Sequence, residues 1–105
     1  GDIFGGWIMA QMDMAAGIAA KKCAHSRVAT VAVDSMMFKH PVHVGNTVHI
    51  HAELLKIGTT SMKINIEVWA QPWDSNDSVK VTEAVFTFVA IDDEGKPHPV
   101  KREDK

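Results

Sequence analysis

The run Gly5-Gly6-Trp7-Ile8-Met9-Ala10-Gln11-Met12-Asp13-Met14-Ala15-Ala16-Gly17-Ile18-Ala19-Ala20-Lys21-Lys22 decides the fold. Met, Ala, Ile, Gln and Lys form a good helical mix, and the polar pair Lys21 and Lys22 closes it, so a helix is expected from Phe4 to about Lys22. Asp2 is placed to cap its start. The segment is apolar nearly all round: Trp7, Ile8, Met9, Met12, Met14, Ile18 and the alanines leave no broad polar stripe. A helix of that kind is expected to be buried rather than laid on a surface. Its small residues, Ala15, Ala16, Gly17, Ala19 and Ala20, let other backbones approach closely.

Beyond the helix the hydrophobic period changes to two. Strands are expected at Arg27 to Asp34, extending towards Lys39, then at Thr47 to Lys56, Thr60 to Gln71 and Val79 to Asp92. Alternation is clearest where Val48, Ile50, Ala52 and Leu54 interleave with Thr47, His49, His51 and Glu53, and where Met62, Ile64, Ile66 and Val68 interleave with Ser61, Lys63, Asn65 and Glu67. Each of these strands has one wet face. Ala84 to Ile91 is apolar on both faces, as a central strand covered on two sides would be. Turn residues fall between the runs, at Pro41 with Gly45-Asn46, at Gly58-Thr59, at Asp74 to Asp77 and at Asp93-Glu94-Gly95. The pieces predict an α+β fold in which one buried helix is wrapped by a mostly antiparallel sheet.

A chain of 105 residues suits one domain, here residues 1–99 with a polar tail at 100–105, and the stretch from Lys96 onward is expected to be loosely held. So short a chain buries a modest fraction of its surface, which favours an oligomer. A formal charge of -2 gives no electrostatic reason to expect nucleic acid or an anionic membrane as partner. No signal peptide and no convincing membrane span is visible, and the single cysteine, Cys23, suits a reducing compartment, so a cytoplasmic location is expected. The sequence begins at Gly1 with the helix following almost at once, so upstream residues, including a first strand of the sheet, are expected to be missing.

Asp13 is the chemical anomaly. Its helical neighbours at three and four residues' spacing, Met9, Ala10, Ala16 and Gly17, are apolar or small. Burying an ionised carboxylate there costs several kcal/mol, of order, unless something pairs with it. A functional carboxylate and a buried Asp hydrogen-bonded to a neighbouring strand or subunit both satisfy that condition, and the residues alone leave both open. Gly5-Gly6 exposes unpaired backbone N–H groups at the positive end of the helix, suited to an oxyanion, although a glycine pair also serves tight packing. Gly5 and Asp13 stand about 12 Å apart along one helix, too far to touch one carbonyl, so they converge only across a subunit interface. His49 and His51 share a strand face with Thr47 and Glu53 and no further ligand beside them, so no metal site is expected. Cys23 and His25, two residues apart, do not meet on a helix and make a poor nucleophile pair.

The opening Gly1-Asp2-Ile3-Phe4-Gly5-Gly6-Trp7-Ile8-Met9-Ala10-Gln11-Met12-Asp13 resembles the first motif of the bacterial YciA-type acyl-CoA thioesterases. The likeness continues through Arg27 to Asp34, Phe38-Lys39-His40-Pro41-Val42-His43-Val44-Gly45, Gly58-Thr59-Thr60-Ser61, Glu67-Val68-Trp69 and Val81 to Asp92. It implies a hotdog fold whose dimer joins two sheets edge to edge, at minimum a homodimer and often a trimer of dimers, with active sites at the dimer interface. By the same resemblance the catalytic carboxylate falls on Asp13 and the donor that polarises the thioester carbonyl on the Gly5 N–H of the opposing subunit, with a weaker assisting role for Asp2. Many hotdog thioesterases have a His just before the glycine pair where this chain has Phe4, a departure that YciA-type members share.

Coenzyme A is then part of substrate and product rather than a cofactor, and Gly6, Phe38, Lys39, Thr60 and Ser61 are the substrate contacts the resemblance implies. No cofactor is required by that chemistry. A non-catalytic acyl-CoA-binding regulatory module is the principal rival, and coenzyme binding without turnover would favour it. A hotdog dehydratase fits less well, because such enzymes pair a His with a carboxylate and no His precedes His25 in the helix.

Overall fold

The computed structural model describes residues 5–100. Helix α1 spans Gly5–Ala24. Ile8, Met12, Ala16, Ala20 and Ala24, four residues apart, form its fully covered stripe. Large residues at one end and alanines at the other let the helix settle close to the sheet, and a bulkier side chain at Ala16 or Ala20 would lever it off. Full burial of Ile8 or Met12 stabilises by about 1.5–3 kcal/mol each. The stripe continues to Ala24, so the helix runs past the expected stop at Lys22. It ends at His25, in the left-handed region at φ 55°, whose N–H donates to the Lys21 carbonyl at 2.8 Å. Lys21 and Lys22 place positive charge at the negative end of the helix.

Four strands follow: β1 (Arg27–Phe38), β2 (Thr47–Ile57), β3 (Ser61–Gln71) and β4 (Val79–Ile91). They form one antiparallel sheet in the order β1-β4-β3-β2. The expected alternation is realised in the register, where Met62, Ile64, Ile66 and Val68 of β3 oppose Phe88, Phe86, Ala84 and Thr82 of β4. All eight are buried, and they make the floor on which α1 lies. Thr82 is the polar member of this layer, and its hydroxyl is satisfied by donating to the Met37 carbonyl at 2.6 Å. β4, apolar on both faces, is an interior strand flanked by β1 and β3.

Two expectations are corrected. The helix is not buried all round within one chain: Trp7, Met14 and Ile18 remain 49%, 61% and 57% exposed, because the sheet covers one side of α1 only. An apolar surface of that extent on a helix marks a contact surface. The stretch from Lys96 to Val100 is not loose. The Lys96 carbonyl accepts from the Asp92 N–H at 2.8 Å, the His98 N–H donates to Ala90 at 3.0 Å, and the Val100 N–H donates to Thr59 at 2.8 Å, which seats Val100 in the core. Three backbone bonds and one apolar anchor outweigh the polar composition that suggested a tail.

Candidate active site

Asp13 follows Met12 of the covered stripe, so its side chain leaves α1 beside the sheet and is exposed rather than sealed in. The Thr30 hydroxyl donates to Asp13 Oδ1 at 2.7 Å. A contact that short between a hydroxyl and a carboxylate is in the charge-assisted range and fixes the carboxylate's orientation. Thr30 reaches it because it opposes Phe88, on the helix side of the sheet; directly after it β1 is bulged, since Ala32 opposes Thr87 and Val31 is the extra residue. Val28 and Thr30 therefore face the helix before the bulge, and Val33, opposite Phe86, faces it afterwards. Bulges re-aim side chains next to functional sites, and this one divides the strand at the residue that holds the carboxylate.

The carboxylate and the Thr30 hydroxyl border an open hollow of about 340 Å³ whose other walls include Met14, Ile18, Val28 and Phe88. A carboxylate at the edge of an apolar recess suits proton transfer or attack on a bound electrophile, since the recess can hold an apolar substrate group while the oxygen lone pairs stay accessible. Thr30 is the site residue that sequence reasoning missed. The alternation of β1 groups it with Val28, but nothing in that pattern ties it to a side chain seventeen residues earlier.

Within one chain the remaining candidates do not gather at Asp13. Gly5 opens α1, about 12 Å up the axis. Beside it, a Cβ built on Gly6 would meet nothing within 4 Å among the described residues. Asp2 lies outside the described residues. Phe38, eight residues along β1 from Thr30, is about 26 Å away in extended chain. Lys39 borders a second hollow of about 310 Å³ with Met37, Asn65 and Glu83. Ser61 opposes Val89, which opposes Ala29, so its side chain points from the sheet face away from the helix. Thr60 sits in the adjoining turn, where its carbonyl accepts from Ala90 at 2.8 Å and Gly58 closes on Ser61 with its N–H 2.8 Å from the Ser61 carbonyl. A Cβ at Gly58 would stand 2.8 Å from Ser61 Oγ, so a larger residue there would require the Ser61 hydroxyl to turn aside.

A sequence model of the thioesterase superfamily matches residues 1–73. The chain belongs to the thioesterase superfamily. It is 52% identical to the acyl-CoA thioester hydrolase YciA of Salmonella typhimurium over 95% of this chain and 77% of that protein. Among solved structures, a hexameric thioesterase from Yersinia pestis superposes with a TM-score of 0.92 at 49% identity, covering 96% of this chain and 83% of that one. An acyl-CoA hydrolase from Staphylococcus aureus, solved with butyryl coenzyme A and coenzyme A, superposes with a TM-score of 0.87 at 34% identity, covering 99% and 65%. The architecture is thus the hotdog fold that the sequence resemblance implies.

The opposite face of the thioesterase sheet carries a polar network of a different kind. Asn65 Nδ2 donates to Glu83 Oε2 at 3.1 Å, and Lys80 Nζ donates to Glu83 Oε1 at 3.1 Å. Lys80 also lies 3.7 Å from Glu67 and 5.8 Å from the centre of the Trp69 ring, and Trp69 Nε1 donates to Glu67 at 3.1 Å. The Asn65 amide, then Lys80, hold the Glu83 carboxyl below its ordinary range, and the bond to Glu83 raises Lys80. His49 and His51 stand on this face, opposite Trp69 and Glu67. Among the described residues no three His, Cys, Asp or Glu side chains gather as a metal site, and no helix is long and apolar enough to cross a membrane.

Proposed function

We propose that this chain hydrolyses acyl-CoA thioesters to the free carboxylic acid and coenzyme A, with Asp13 as general base or nucleophile. The observation that carries the reading is the Asp13 carboxylate, aimed by Thr30 along the edge of an apolar recess in a member of the thioesterase superfamily. In the general-base route Asp13 takes a proton from water as the water oxygen bonds to the thioester carbon. The carbon–sulfur bond then breaks, and the proton passes to the leaving thiolate. In the nucleophilic route an Asp13 oxygen bonds to the thioester carbon and the carbon–sulfur bond breaks to expel coenzyme A as its thiolate; water then splits the mixed anhydride into the free acid and the Asp13 carboxylate, and the proton it gives up passes to the thiolate. The negative charge on the carbonyl oxygen is met by the Gly5 N–H of the partner subunit, at the positive end of its helix. Neither route calls for a metal or an organic cofactor.

The distance from Gly5 to Asp13 makes the working unit a homodimer at minimum, and a trimer of dimers is in keeping with the hexameric Yersinia pestis relative. β1 is an edge strand with Val31 and Val33 exposed, suited to antiparallel pairing with its own copy. A two-fold axis near the middle of β1 carries Phe38 and Lys39 of the partner subunit back towards Val28, and so beside the Asp13 hollow. This brings two of the substrate contacts named above to the site from across the interface. We place the protein in the cytoplasm, where acyl-CoA is at hand. The test is thiol release from a panel of acyl-CoA substrates by wild type and by Asp13→Asn. Wild-type turnover that vanishes in an Asp13→Asn protein of unchanged oligomeric state is expected, and near-normal turnover in that variant sinks the assignment.

A further inference from the structure

Asp13, Gly17 and Lys21 follow one another at four-residue spacing along α1, and all three border the recess described above. Such residues lie in one line on a helix, spanning about 12 Å from the carboxylate to the lysine. Gly17 contributes no side chain. A Cβ built there would stand 3.8 Å from Phe88 Cε2, an ordinary contact, so anything larger would enter the space between α1 and Phe88. Met14 and Ile18 form the parallel line on the outer side of the helix, and Val28 and Phe88 face them from the sheet. The recess is therefore an apolar track with a carboxylate at one end, a gap where Gly17 stands and an ammonium group at the other end.

Resting on the thioesterase reading, we infer that this track receives the acyl chain, that Gly17 keeps it open and that Lys21 ends it, so these two residues set the acyl-length range. An acyl chain whose carbonyl lies at Asp13 runs past Gly17, where a methylene can sit against Phe88. A chain longer than the track meets Lys21, which must move its charged head aside for the chain to continue.

The two residues give opposite predictions. With butyryl-, octanoyl- and palmitoyl-CoA as probes, the quantity to measure is the ratio of kcat/KM for palmitoyl to that for butyryl. Lys21→Met, which extends the apolar track, raises this ratio about tenfold, and Gly17→Leu, which plugs it, lowers it about tenfold, the scale of discrimination that one or two methylenes give in an apolar pocket. Gly17→Ala lowers it by a smaller factor, and its Cβ fits without displacing Phe88, so it decides the matter if Gly17→Leu fails to assemble. Unchanged ratios, or shifts of the same sign in the lysine and glycine variants, overturn the inference. An equal change for all three substrates also overturns it, because the track would then hold the coenzyme rather than the acyl group. Absence of wild-type turnover on every probe would instead strike at the thioesterase reading itself.

Discussion

Asp13 and Glu83 are both carboxylates on the working layers of this protein, and their surroundings differ in kind. Glu83 is held on both oxygens, by the Asn65 amide and the Lys80 ammonium, in a network that also includes Glu67 and Trp69. Asp13 is held on Oδ1 by one hydroxyl and otherwise faces an apolar recess. A carboxylate whose lone pairs are taken by donors is fixed as part of the sheet surface, whereas one oriented through a single oxygen keeps capacity for a water or a substrate. The two hollows differ accordingly. The one at Glu83 sets the carboxylate among Lys39 and the Asn65 amide, and the one at Asp13 runs along Met14, Ile18, Val28 and Phe88, with Lys21 about two helical turns from the carboxylate.

The largest effect expected from this contrast is at Asp13, the carboxylate proposed to react. Asp13→Asn should lower kcat/KM by about 10²–10⁴-fold, the usual contribution of a positioned acid–base group, with oligomeric state and thermal stability nearly unchanged. Glu83→Gln should leave kcat/KM within about twofold. Equal losses in the two variants would abolish the distinction. Thr30→Val comes next. Removing the hydroxyl frees the carboxylate to rotate, and kcat should fall by roughly tenfold, the scale of a hydrogen bond to a charged group, with Thr30→Ser restoring most of it. In the Asp13→Asn background the same change should cost little further, because the two residues act as a unit. Additive losses would show that Thr30 supports the fold of β1 and not the carboxylate.

Much of this arrangement could be read from the sequence, and the limits have physical causes. Alternation along Met62 to Val68 and the two-sided apolarity of Ala84 to Ile91 identified the covered face of β3 and the interior position of β4, because burial imposes a period that the chain must carry. Asp13 stood out for its apolar helical neighbours, but the burial they suggested does not occur within one chain, where the carboxylate is exposed and held by a hydroxyl of the neighbouring strand. The helix reading failed in one respect: apolar residues such as Met14 and Ile18 must be covered by something, but periodicity does not say whether the cover comes from the same chain. Thr30 was missed because its role depends on β1 packing beside α1, and alternation along a strand does not say which helix residue a side chain will meet. The Glu83 network was missed for a related reason. Asn65, Lys80 and Glu83 meet only once β3 and β4 are aligned.

A smaller effect tests the other half of the contrast. If Glu83 is structural, Glu83→Gln should reduce stability by about 0.5 kcal/mol, the range for partly exposed ion pairs, and the loss should shrink as salt is raised. Thermal unfolding of the two proteins at low and high ionic strength measures both. A salt-independent loss would mean that the Asn65 amide, rather than Lys80, dominates the contact.

The smallest effect concerns a third carboxylate, which is held by backbone rather than side chains. Asp92 Oδ1 accepts from the backbone N–H groups of Glu94 and Lys96, each at 2.9 Å, and closes the turn that brings Lys96 to Val100 back onto the sheet. The Lys96 N–H, then that of Glu94, lower its pKa from the ordinary 3.8 against some opposition from burial. A carboxyl that is more acidic folded than unfolded binds protons more readily when unfolded. Its stabilisation is therefore fully present above the unfolded value and is lost as pH falls through the folded one. Asp92→Asn keeps an acceptor oxygen but not the charge, so the variant should unfold slightly earlier than wild type near neutral pH, and the gap should close as pH is lowered below 3.8. A gap that persists unchanged in acid would assign the turn's stability to the geometry of the oxygen alone and would place Asp92 apart from Glu83, whose partners include a full positive charge.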